Sequence, residues 1–581
     1  MSQKIQILKY LKEPFKPSLS EEKIKKFKIA SLKRLIPYAK SHWKNGLTGS
    51  IFMIIISLLA LPSPYLMKLI IDEVLSTKNI KILNLIVIIL IGIQLLRLVF
   101  SFLTNYLFDI FSQDIIVRVK KDLFYRLLRL PLSFFDKNQT GYILSRVNEV
   151  EGLNLFFSSN LIRVLIGLFE FAFCLIIIFC LNWKLTLISL LILPLFYFAT
   201  KFYSRSIRKF SRKVMEKGAI LSRHIQDSLS GVDVIKFFAA EKRETEKIHG
   251  HLDELKFANI KTNIILTFSS ELLSLLGALG GFLVLWYSSL DIIKGNFTIG
   301  SYIAFSAYLA KLFGPTQILS NIGLMFQPAI TALERITELM ELAGEEESDK
   351  GKKLKKIGGE IEFKKVSFSY DTKKVLTDIN FKINKGEKII LAGPNGSGKS
   401  TIVKLILGLY KVQAGTIIID NYDINEISLT SLRERISIVS QNTFLFNDTI
   451  KNNILYSRPE AKAEQIEEAA KLSGAYEFIQ RLANGFETEI GERGVRLSGG
   501  ENQKIAITRA ILKDSDMIIF DEATTHLDQE SEIRINRLIK EEFKNKTCII
   551  ISHKIRNLPQ IDKLYFIKEG KVIEVTEDLV E

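Results

Sequence analysis

Cysteine is scarce in this sequence, which has only Cys174, Cys180 and Cys548 in 581 residues. These three cysteines give neither a disulfide framework nor the ligand spacing of a metal site. We expect three buried thiols. Residues 1–20 also lack the apolar core and the cleavage site of a signal peptide, so this segment is expected to remain in the cytosol.

Charged residues are nearly absent from long stretches of the first half, such as 50–67 (SIFMIIISLLALPSPYLM) and 82–96 (ILNLIVIILIGIQLL). After about residue 345 the composition becomes that of a soluble α/β protein. A membrane span needs roughly 20 apolar residues. Six segments meet this length: 48–72, 82–108, 158–181, 183–204, 262–288 and 298–325. The sequence therefore predicts a membrane half followed by a water-soluble half.

The net charge of +16 is concentrated beside the apolar segments. Basic residues precede the first span, at 23–34, and are frequent in the long linkers 112–157 and 205–260. This distribution is typical of membrane orientation and not of nucleic-acid binding, so we predict a lipid bilayer as a partner and no nucleic acid. The basic linkers, the N-terminus and the soluble half are expected in the cytosol, which makes this a multi-pass membrane protein.

The pattern divides the chain into four parts. These are a cytosolic N-terminal segment with an amphipathic interfacial helix (1–45), a membrane domain (46–335), a charged linker (336–358) and a soluble domain (359–581).

Both long cytosolic linkers are helical in pattern, and each is expected to reverse at a short break, near 130–142 and near 230–244. Each break carries two aromatic residues: Phe134 and Phe135, and Phe237 and Phe238. Ordinary surface turns and docking sites for the soluble domain both fit this pattern, and exposed aromatics favour docking.

A phosphate-binding loop is evident in GPNGSGKST, which lies between the strand-like 388–393 and a helical segment. Backbone amides of such a loop surround the phosphates, Lys399 reaches the β and γ groups, and Ser400 holds Mg²⁺. The loop residues expected to bind nucleotide are Gly393, Pro394, Asn395, Gly396, Ser397, Gly398, Lys399, Ser400 and Thr401.

A second strand-like run, MIIFDE (517–522), places two acids at the end of four apolar residues. Together with runs at 361–370, 388–393, 436–439 and 547–551, it predicts a mainly parallel sheet with nucleotide at the strand ends. Asp521 is expected to orient Mg²⁺, and Glu522 is expected to polarise the attacking water.

A second potential anion site lies in LSGGENQK (497–504), where Ser498, Gly499 and Gly500 precede a stretch that is helical from Glu501 to Leu512. The loop at 393–401 is already complete for one nucleotide. The sequence therefore leaves open which phosphate this second site would bind.

In their order, these motifs resemble the ATP-binding cassette superfamily throughout residues 360–560. The resemblance implies that Tyr370 stacks on adenine, that Gln441 lies in the glutamine loop, and that His553 is the switch histidine. Gln441 and His553 would then act with Glu522 in catalysis, and Gln441 would join Ser400 and Asp521 around Mg²⁺. LSGGE matches the family signature, and THLD (525–528) matches its D-loop.

The spans and both linker breaks also resemble the exporter branch of that superfamily. The implied fold is a polytopic α-helical membrane domain, with six transmembrane helices extended into the cytosol, fused to an α/β P-loop NTPase domain of ABC type. The resemblance implies a second half-transporter as partner, in a homodimer or a heterodimer. Ser498, Gly499, Gly500 and Glu501 of each chain would then close on the partner's ATP.

Two positions depart from the family pattern: Glu501 stands where glutamine is usual, and His526 replaces a small residue of the D-loop. Neither departure removes a phosphate or metal contact. The function that the resemblance implies is ATP-driven export of an amphipathic peptide, drug-like compound or lipid across the inner (plasma) membrane. Export would proceed by alternating access, coupled to ATP binding and hydrolysis at two composite sites of a dimer. An ATP-gated channel or a regulatory subunit shares the architecture, whereas a soluble cassette ATPase would need no spans.

Charged residues inside spans are expensive and often functional. Five lie within the predicted spans: Arg97, Arg163, Glu170, Glu271 and Lys311. They are candidates for the substrate cavity, and mutual ion pairing that fixes helix packing explains them equally well.

Overall fold

The structure, a computed structural model, describes residues 35–345, 351–491, 497–523, 529–552 and 561–575. It divides into two compact units. Within the described ranges, the first unit holds the residues up to Tyr125 and Tyr142–Glu341, and the second holds Arg126–Gly141 and the residues from Leu342 onward.

Long helices dominate the first unit, as uninterrupted apolar sequence with few glycines predicts. In chain order, the helices are α1 Ile36–Ser41, α2 Trp43–Ala60, α3 Pro62–Leu69, α4 Leu75–Thr77, α5 Ile80–Leu127, α6 Leu132–Lys137, α7 Thr140–Glu149, α8 Asn154–Phe157, α9 Ser159–Leu181, α10 Trp183–Leu190, α11 Ile192–Ser230, α12 Val232–Phe237, α13 Glu241–Ile293 and α14 Ile299–Glu341. Helix α14 extends into the predicted linker as far as Glu341.

Among the described residues, five helical segments are long and apolar enough to cross a membrane: Trp43–Thr77, Ile80–Leu127, Thr140–Leu181, Trp183–Ser230 and Glu241–Ile293. They contain the first five predicted spans. The sixth predicted span, 298–325, coincides with α14 but is not among these five, so its crossing of the membrane stays a prediction. Buried thiols were expected at all three cysteines, but Cys180 is exposed on α9 and only Cys174 and Cys548 are buried.

The first span is broken between α2 and α3, where Pro62 and Pro64 have no N–H to donate. The carbonyl of Ala60 therefore loses its usual partner at Pro64 and instead accepts a hydrogen bond from Lys311 Nζ at 2.5 Å. Tyr308 Oη donates to the carbonyl of Leu61 at 2.6 Å. Two polar side chains of α14 thus satisfy the backbone at the proline break.

The second unit is built on two sheets. Its strands are β1 Ile361–Tyr370, β2 Lys373–Ile383, β3 Lys388–Ala392, β4 Ala414–Ile419, β5 Tyr422–Asp423, β6 Ile436–Val439, β7 Met517–Asp521, β8 Thr547–Ile551, β9 Lys563–Lys568 and β10 Lys571–Val575. Its remaining α-helices are α15 Lys399–Ile406, α16 Leu429–Glu434, α17 Ile450–Leu455, α18 Ala463–Ser473, α19 Tyr476–Arg481, α20 Gly499–Lys513 and α21 Gln529–Glu541.

The larger sheet has the order β10-β9-β3-β8-β7-β6, and all of its neighbouring strands are parallel except β10 and β9. This confirms the mainly parallel sheet. The prediction was wrong for 361–370, because β1 lies in a separate sheet of order β2-β1-β4-β5 with antiparallel pairs. A buried core packs between these layers and includes Phe363, Ile389, Ile402, Ile519 and Ile549.

Short helices replace the two predicted turns. Helix α6 belongs to the second unit, and Phe134 on it is half-buried. Helix α12 belongs to the first unit, where Phe237 is 82% exposed and Phe238 is 79% exposed.

Candidate functional site

The phosphate loop follows β3 directly and leads into α15. Three of its residues need glycine: φ is +148° at Gly393, +77° at Gly396 and +108° at Gly398, a region that L residues rarely adopt. A Cβ at Gly393 would stand 2.3 Å from the carbonyl oxygen of Ile567, whereas a Cβ at Gly396 would meet nothing within 4 Å. The start of the loop therefore packs closely against β9, and there is free space around Gly396 at its tip.

Two polar groups inside this loop are placed to receive an anion. Lys399 is 5% exposed, and its Nζ donates to the carbonyls of Gly393 at 2.8 Å and Pro394 at 3.0 Å. Burial lowers the pKa of Lys399, and the carboxylates of Glu522 and Asp521 oppose that shift. Ser397 Oγ is buried and has no hydrogen-bond partner among the described residues. The loop therefore fits a phosphate that would take over these donors.

The carboxyl end of β7 brings the two acids to the same edge of the sheet as the loop. Ser400 Oγ lies 3.3 Å from Asp521 Oδ1, so these two oxygens would suit Mg²⁺, which prefers oxygen ligands. Burial raises the pKa of Asp521, while the hydrogen bond from Ser400 and the charge of Lys399 lower it. A cation at this position would favour the ionised carboxylate.

Glu522 is held in the left-handed region with φ +52°, and its N–H donates to the carbonyl of Ile551 at 3.1 Å. Gln441, just after the neighbouring strand β6, donates from Nε2 to Glu522 Oε2 at 2.6 Å. The structure thus joins two residues that the sequence placed 81 positions apart. A water bound between them would face a carboxylate that can accept a proton.

Tyr370 ends β1 and is half-buried. Its hydroxyl lies 3.4 Å from Thr401 Oγ1 on α15, so the aromatic ring stands beside the phosphate loop. Its ring also meets Tyr410 edge to face, with centroids 5.1 Å apart.

The signature segment, Ser498–Glu501, begins α20 with a capping box. Ser498 Oγ accepts from the N–H of Glu501 at 3.3 Å, and Glu501 Oε2 accepts from the N–H of Ser498 at 2.8 Å. Ser498 and Gly499 are exposed. The predicted helix, from Glu501 to Leu512, is confirmed, and it begins two residues earlier, at Gly499.

Arg509 on α20 is a residue that the motifs did not single out. Its guanidinium donates to the carbonyls of Phe444 at 2.8 Å and Asn453 at 2.6 Å, and so fastens the segment that follows Gln441 to the signature helix. Burial lowers the pKa of Arg509. A basic residue within the buried stretch 505–512 was the available signal in the sequence.

Helix α6 contacts the nucleotide-binding part of the second unit. Asp136 accepts a hydrogen bond from Tyr410 Oη and lies 3.7 Å from Lys404 Nζ, while Lys137 Nζ lies 2.5 Å from Asp371 Oδ1. Burial and the hydrogen bond to Asp136 raise the pKa of Tyr410. Since Lys404 lies on α15, these contacts connect the first linker break to the helix that begins with Lys399.

Three of the five charged residues predicted for the cavity come together in the first unit. Arg97 and Glu170 lie close enough to Lys311 for their charges to act on its ammonium group. Arg97 Nη1 reaches Gln94 at 3.4 Å, and its buried Nε has no partner among the described residues. Arg163 is exposed, seven residues before Glu170 and thus on the same face of α9. Glu271 is exposed on α13.

The remaining motif residues lie outside the described ranges. These are His553, the D-loop 525–528 and His526 within it.

Comparison with known proteins gives matches across both halves of the chain. The family described as the ABC transporter transmembrane region matches residues 47–316, and the family described as ABC transporter matches residues 376–525. The chain is 33% identical over 524 residues to the ATP-dependent lipid A-core flippase of Desulfotalea psychrophila, covering 90% of this chain and 92% of that protein.

The chain belongs to the ABC transporter family.

This ABC transporter is also 33% identical over 529 residues to the ATP-dependent lipid A-core flippase of Escherichia coli K12, covering 89% of this chain and 90% of that one. A solved structure of a bacterial Atm1-family ABC exporter with ATP bound superimposes with a TM-score of 0.80 at 26% identity, covering 91% of this chain and 95% of that chain. The protein is a half-transporter of the exporter type, a multi-pass membrane protein with a membrane domain fused to an ATP-hydrolysing cassette.

Proposed function

We propose that this half-transporter exports a lipid with an anionic head group across the inner membrane, as a homodimer that closes and opens around two shared ATP sites. The observation that carries the lipid assignment is the 33% identity to lipid A-core flippases along nine-tenths of the chain. The nucleotide-binding domain would face the cytosol, as the basic linkers require.

The hydrolytic step follows from residues at the strand ends. Lys399 would leave the loop carbonyls and pair with the β and γ phosphates, and Ser400, Asp521 and Gln441 would hold Mg²⁺, which supplies charge neutralisation when bound. Glu522 Oε2 would accept a proton from the attacking water that Gln441 orients. His553 would contact the γ-phosphate, and Tyr370 would cover the adenine, as the family resemblance implies.

The second chain completes each site in this proposal. Phosphate loop and signature segment each supply donors for one triphosphate, and a symmetric dimer gives two loops and two signatures. Ser498, Gly499 and Gly500 would therefore close on the ATP held by the partner. Closure upon binding and release upon hydrolysis would switch the membrane domain between its two orientations.

Movement would reach the membrane through the two linker breaks. Within the second unit, Asp136 of helix α6 accepts the hydrogen bond from Tyr410. Helix α12 presents Phe237 and Phe238 to solvent, and two adjacent large aromatics call for an apolar partner surface. The proposed partner for α12 is the nucleotide-binding domain of the other chain.

Tyr410→Phe is expected to uncouple hydrolysis from transport, because it removes the hydroxyl that donates to Asp136 and leaves the ring in place. Losing one hydrogen bond to a carboxylate should lower transport by roughly fivefold, with basal ATPase and thermal stability retained. Tyr422→Phe, which alters a tyrosine hydroxyl bonded to Lys352 in the same unit, is the control. Equal transport by both variants and the wild type would contradict a coupling role for this contact.

The anionic character of the proposed head group is inferred from the charged residues that meet inside the first unit. Arg97 and Lys311 provide two cations, and Glu170 provides one anion beside them, so this group has an excess of positive charge. Arg163 adds a further cation on the same face of α9 as Glu170. Anions bind such a group through charge-assisted hydrogen bonds. The unpartnered Nε of Arg97 is a donor that a head group would satisfy.

Arg97→Gln and Arg163→Gln are expected to lower ATP-dependent lipid movement by about tenfold, the effect of losing one charge-assisted contact. The assay uses reconstituted vesicles with fluorescent phosphatidylglycerol, a labelled phosphorylated glycolipid and zwitterionic phosphatidylcholine. Arg212→Gln, which alters an exposed i,i+4 ion pair on α11, is the control. Lys311→Gln should in addition lower the melting temperature, because Lys311 also supports the Ala60 carbonyl.

Intact ATPase with no ATP-dependent movement of any labelled lipid would contradict a lipid cargo. Variants at Arg97 and Arg163 that lose only expression and thermal stability would show that these charged residues fix helix packing.

A further inference from the structure

The signature segment of this chain contains a carboxylate that holds the groups a phosphate would need. Glu501 Oε2 accepts from both polar hydrogens of Ser498: the backbone N–H at 2.8 Å and the hydroxyl at 2.8 Å. The direction of the second bond is fixed, because an ionised carboxylate has no hydrogen to donate. The hydroxyl proton of Ser498 is therefore engaged in a hydrogen bond to Glu501.

The other donors at this helix end can be counted. Of the first four N–H groups of α20, that of Glu501 donates to Ser498 Oγ and that of Asn502 donates to the carbonyl of Ser498. An α-helix offers no internal partner to the N–H groups of Gly499 and Gly500, which therefore point out of the helix end. A phosphate arriving here would find these two N–H groups ready, and the Ser498 hydroxyl already engaged.

Glutamine at this position would reverse one hydrogen bond. Its amide oxygen can accept from the N–H of Ser498, and its NH₂ group can donate to Ser498 Oγ. The hydroxyl proton would then be free to donate to a phosphate. Glutamate instead holds the Ser498 hydroxyl proton in a hydrogen bond to its carboxylate. It also places a negative charge next to the incoming triphosphate, and like charges at contact distance repel.

We propose that Glu501 sets the ATP concentration at which the two cassettes close. Its carboxylate holds the Ser498 hydroxyl and repels the partner's γ-phosphate until ATP binding displaces this carboxylate. The inference rests on the proposed closure of each signature segment on the partner's ATP. Glu501 is a positioning residue, because it acts through the hydroxyl of Ser498. Closure would then favour ATP with bound Mg²⁺ over free ATP, because the metal would neutralise part of the phosphate charge that Glu501 repels.

Glu501→Gln is expected to lower the KM for ATP by about fivefold, the usual size of one hydrogen bond plus a screened surface charge, and to change kcat far less. The difference in KM between wild type and variant should shrink in high salt, because the repulsion of exposed charges is screened there. The measurement is steady-state ATPase of the full-length protein in lipid, at low and at high NaCl.

Glu464→Gln is the matched control, since Glu464 is an exposed acid in the first turn of α18 and lies outside the signature segment. It should leave KM unchanged. A KM for Glu501→Gln that is unchanged or raised, or a lower kcat and melting temperature at constant KM, would overturn the proposal and leave Glu501 as a helix cap.

Ser498→Ala separates this inference from the closure on which it rests. If closure on the partner's ATP is correct, Ser498→Ala lowers ATPase whatever Glu501→Gln does, so an unchanged KM in Glu501→Gln would then reject only the role of Glu501. ATPase that is insensitive to Ser498→Ala would reject the closure itself, and with it the role of Glu501.

Discussion

Replacing Glu522 with glutamine is expected to leave ATP binding intact and to slow hydrolysis by about two to three orders of magnitude. Glu522 lies at the carboxyl end of β7, 2.6 Å from the Nε2 of Gln441. Glutamine keeps the size of the side chain but cannot accept the proton of the attacking water. Lys399 and Ser400 are unchanged, so the nucleotide should still bind, and the closed dimer should accumulate.

The measurement pairs single-turnover ATPase with binding of a fluorescent ATP analogue. The matched control is Glu569→Gln, because Glu569 has nearly the same left-handed backbone, with φ +51° against +52° for Glu522, and is exposed in the β9–β10 turn. The control should hydrolyse ATP normally. Hydrolysis by Glu522→Gln within about tenfold of wild type would place the general base elsewhere.

The candidate nucleotide site could be outlined from the sequence because its motifs are local. The loop 393–401 needs glycines at fixed spacing, and Asp521 and Glu522 follow an apolar strand, so both motifs are visible without a fold. The contact from Gln441 to Glu522 was not predicted as a bond, because it depends on β6 lying next to β7.

The other strands of the antiparallel sheet, β2, β4 and β5, were missed, and for β2 the physical reason is clear. In β2 (KKVLTDINFKI), a few buried apolar residues alternate irregularly with exposed polar ones, and its pairing with β1 is interrupted by register shifts. Such a strand has no continuous apolar run, which is the signal that identified β3, β7 and β8. The two-stranded end formed by β9 and β10 was overlooked as well.

Charged residues in the predicted spans show a different limit of prediction from sequence. The sequence identified Lys311 as costly in a membrane, but both cargo binding and packing explain such a residue. Its bond to the carbonyl of Ala60 follows from Pro64, which lies almost 250 residues earlier in the chain and lacks the N–H that would have served that carbonyl. Only the three-dimensional structure connects these residues.

The second large effect is expected on the ATPase of a dimer that combines two different variants of this chain. Lys399→Ala removes the lysine that is proposed to bind the phosphates, and Ser498→Arg places a large side chain in the signature segment. Each variant alone forms homodimers in which every site lacks one of these parts, so ATPase should fall below about one per cent of wild type. In a dimer of the two variants, the loop of the Ser498→Arg chain faces the intact signature of the Lys399→Ala chain.

Co-expression with two affinity tags and tandem purification isolates this mixed dimer, and its ATPase in lipid tests the shared site most directly. Because one of the two sites is whole, the mixed dimer should recover up to about half of the wild-type rate. A purified mixed dimer that remains as inactive as the two homodimers would contradict the account, since each signature would then serve the ATP of its own chain.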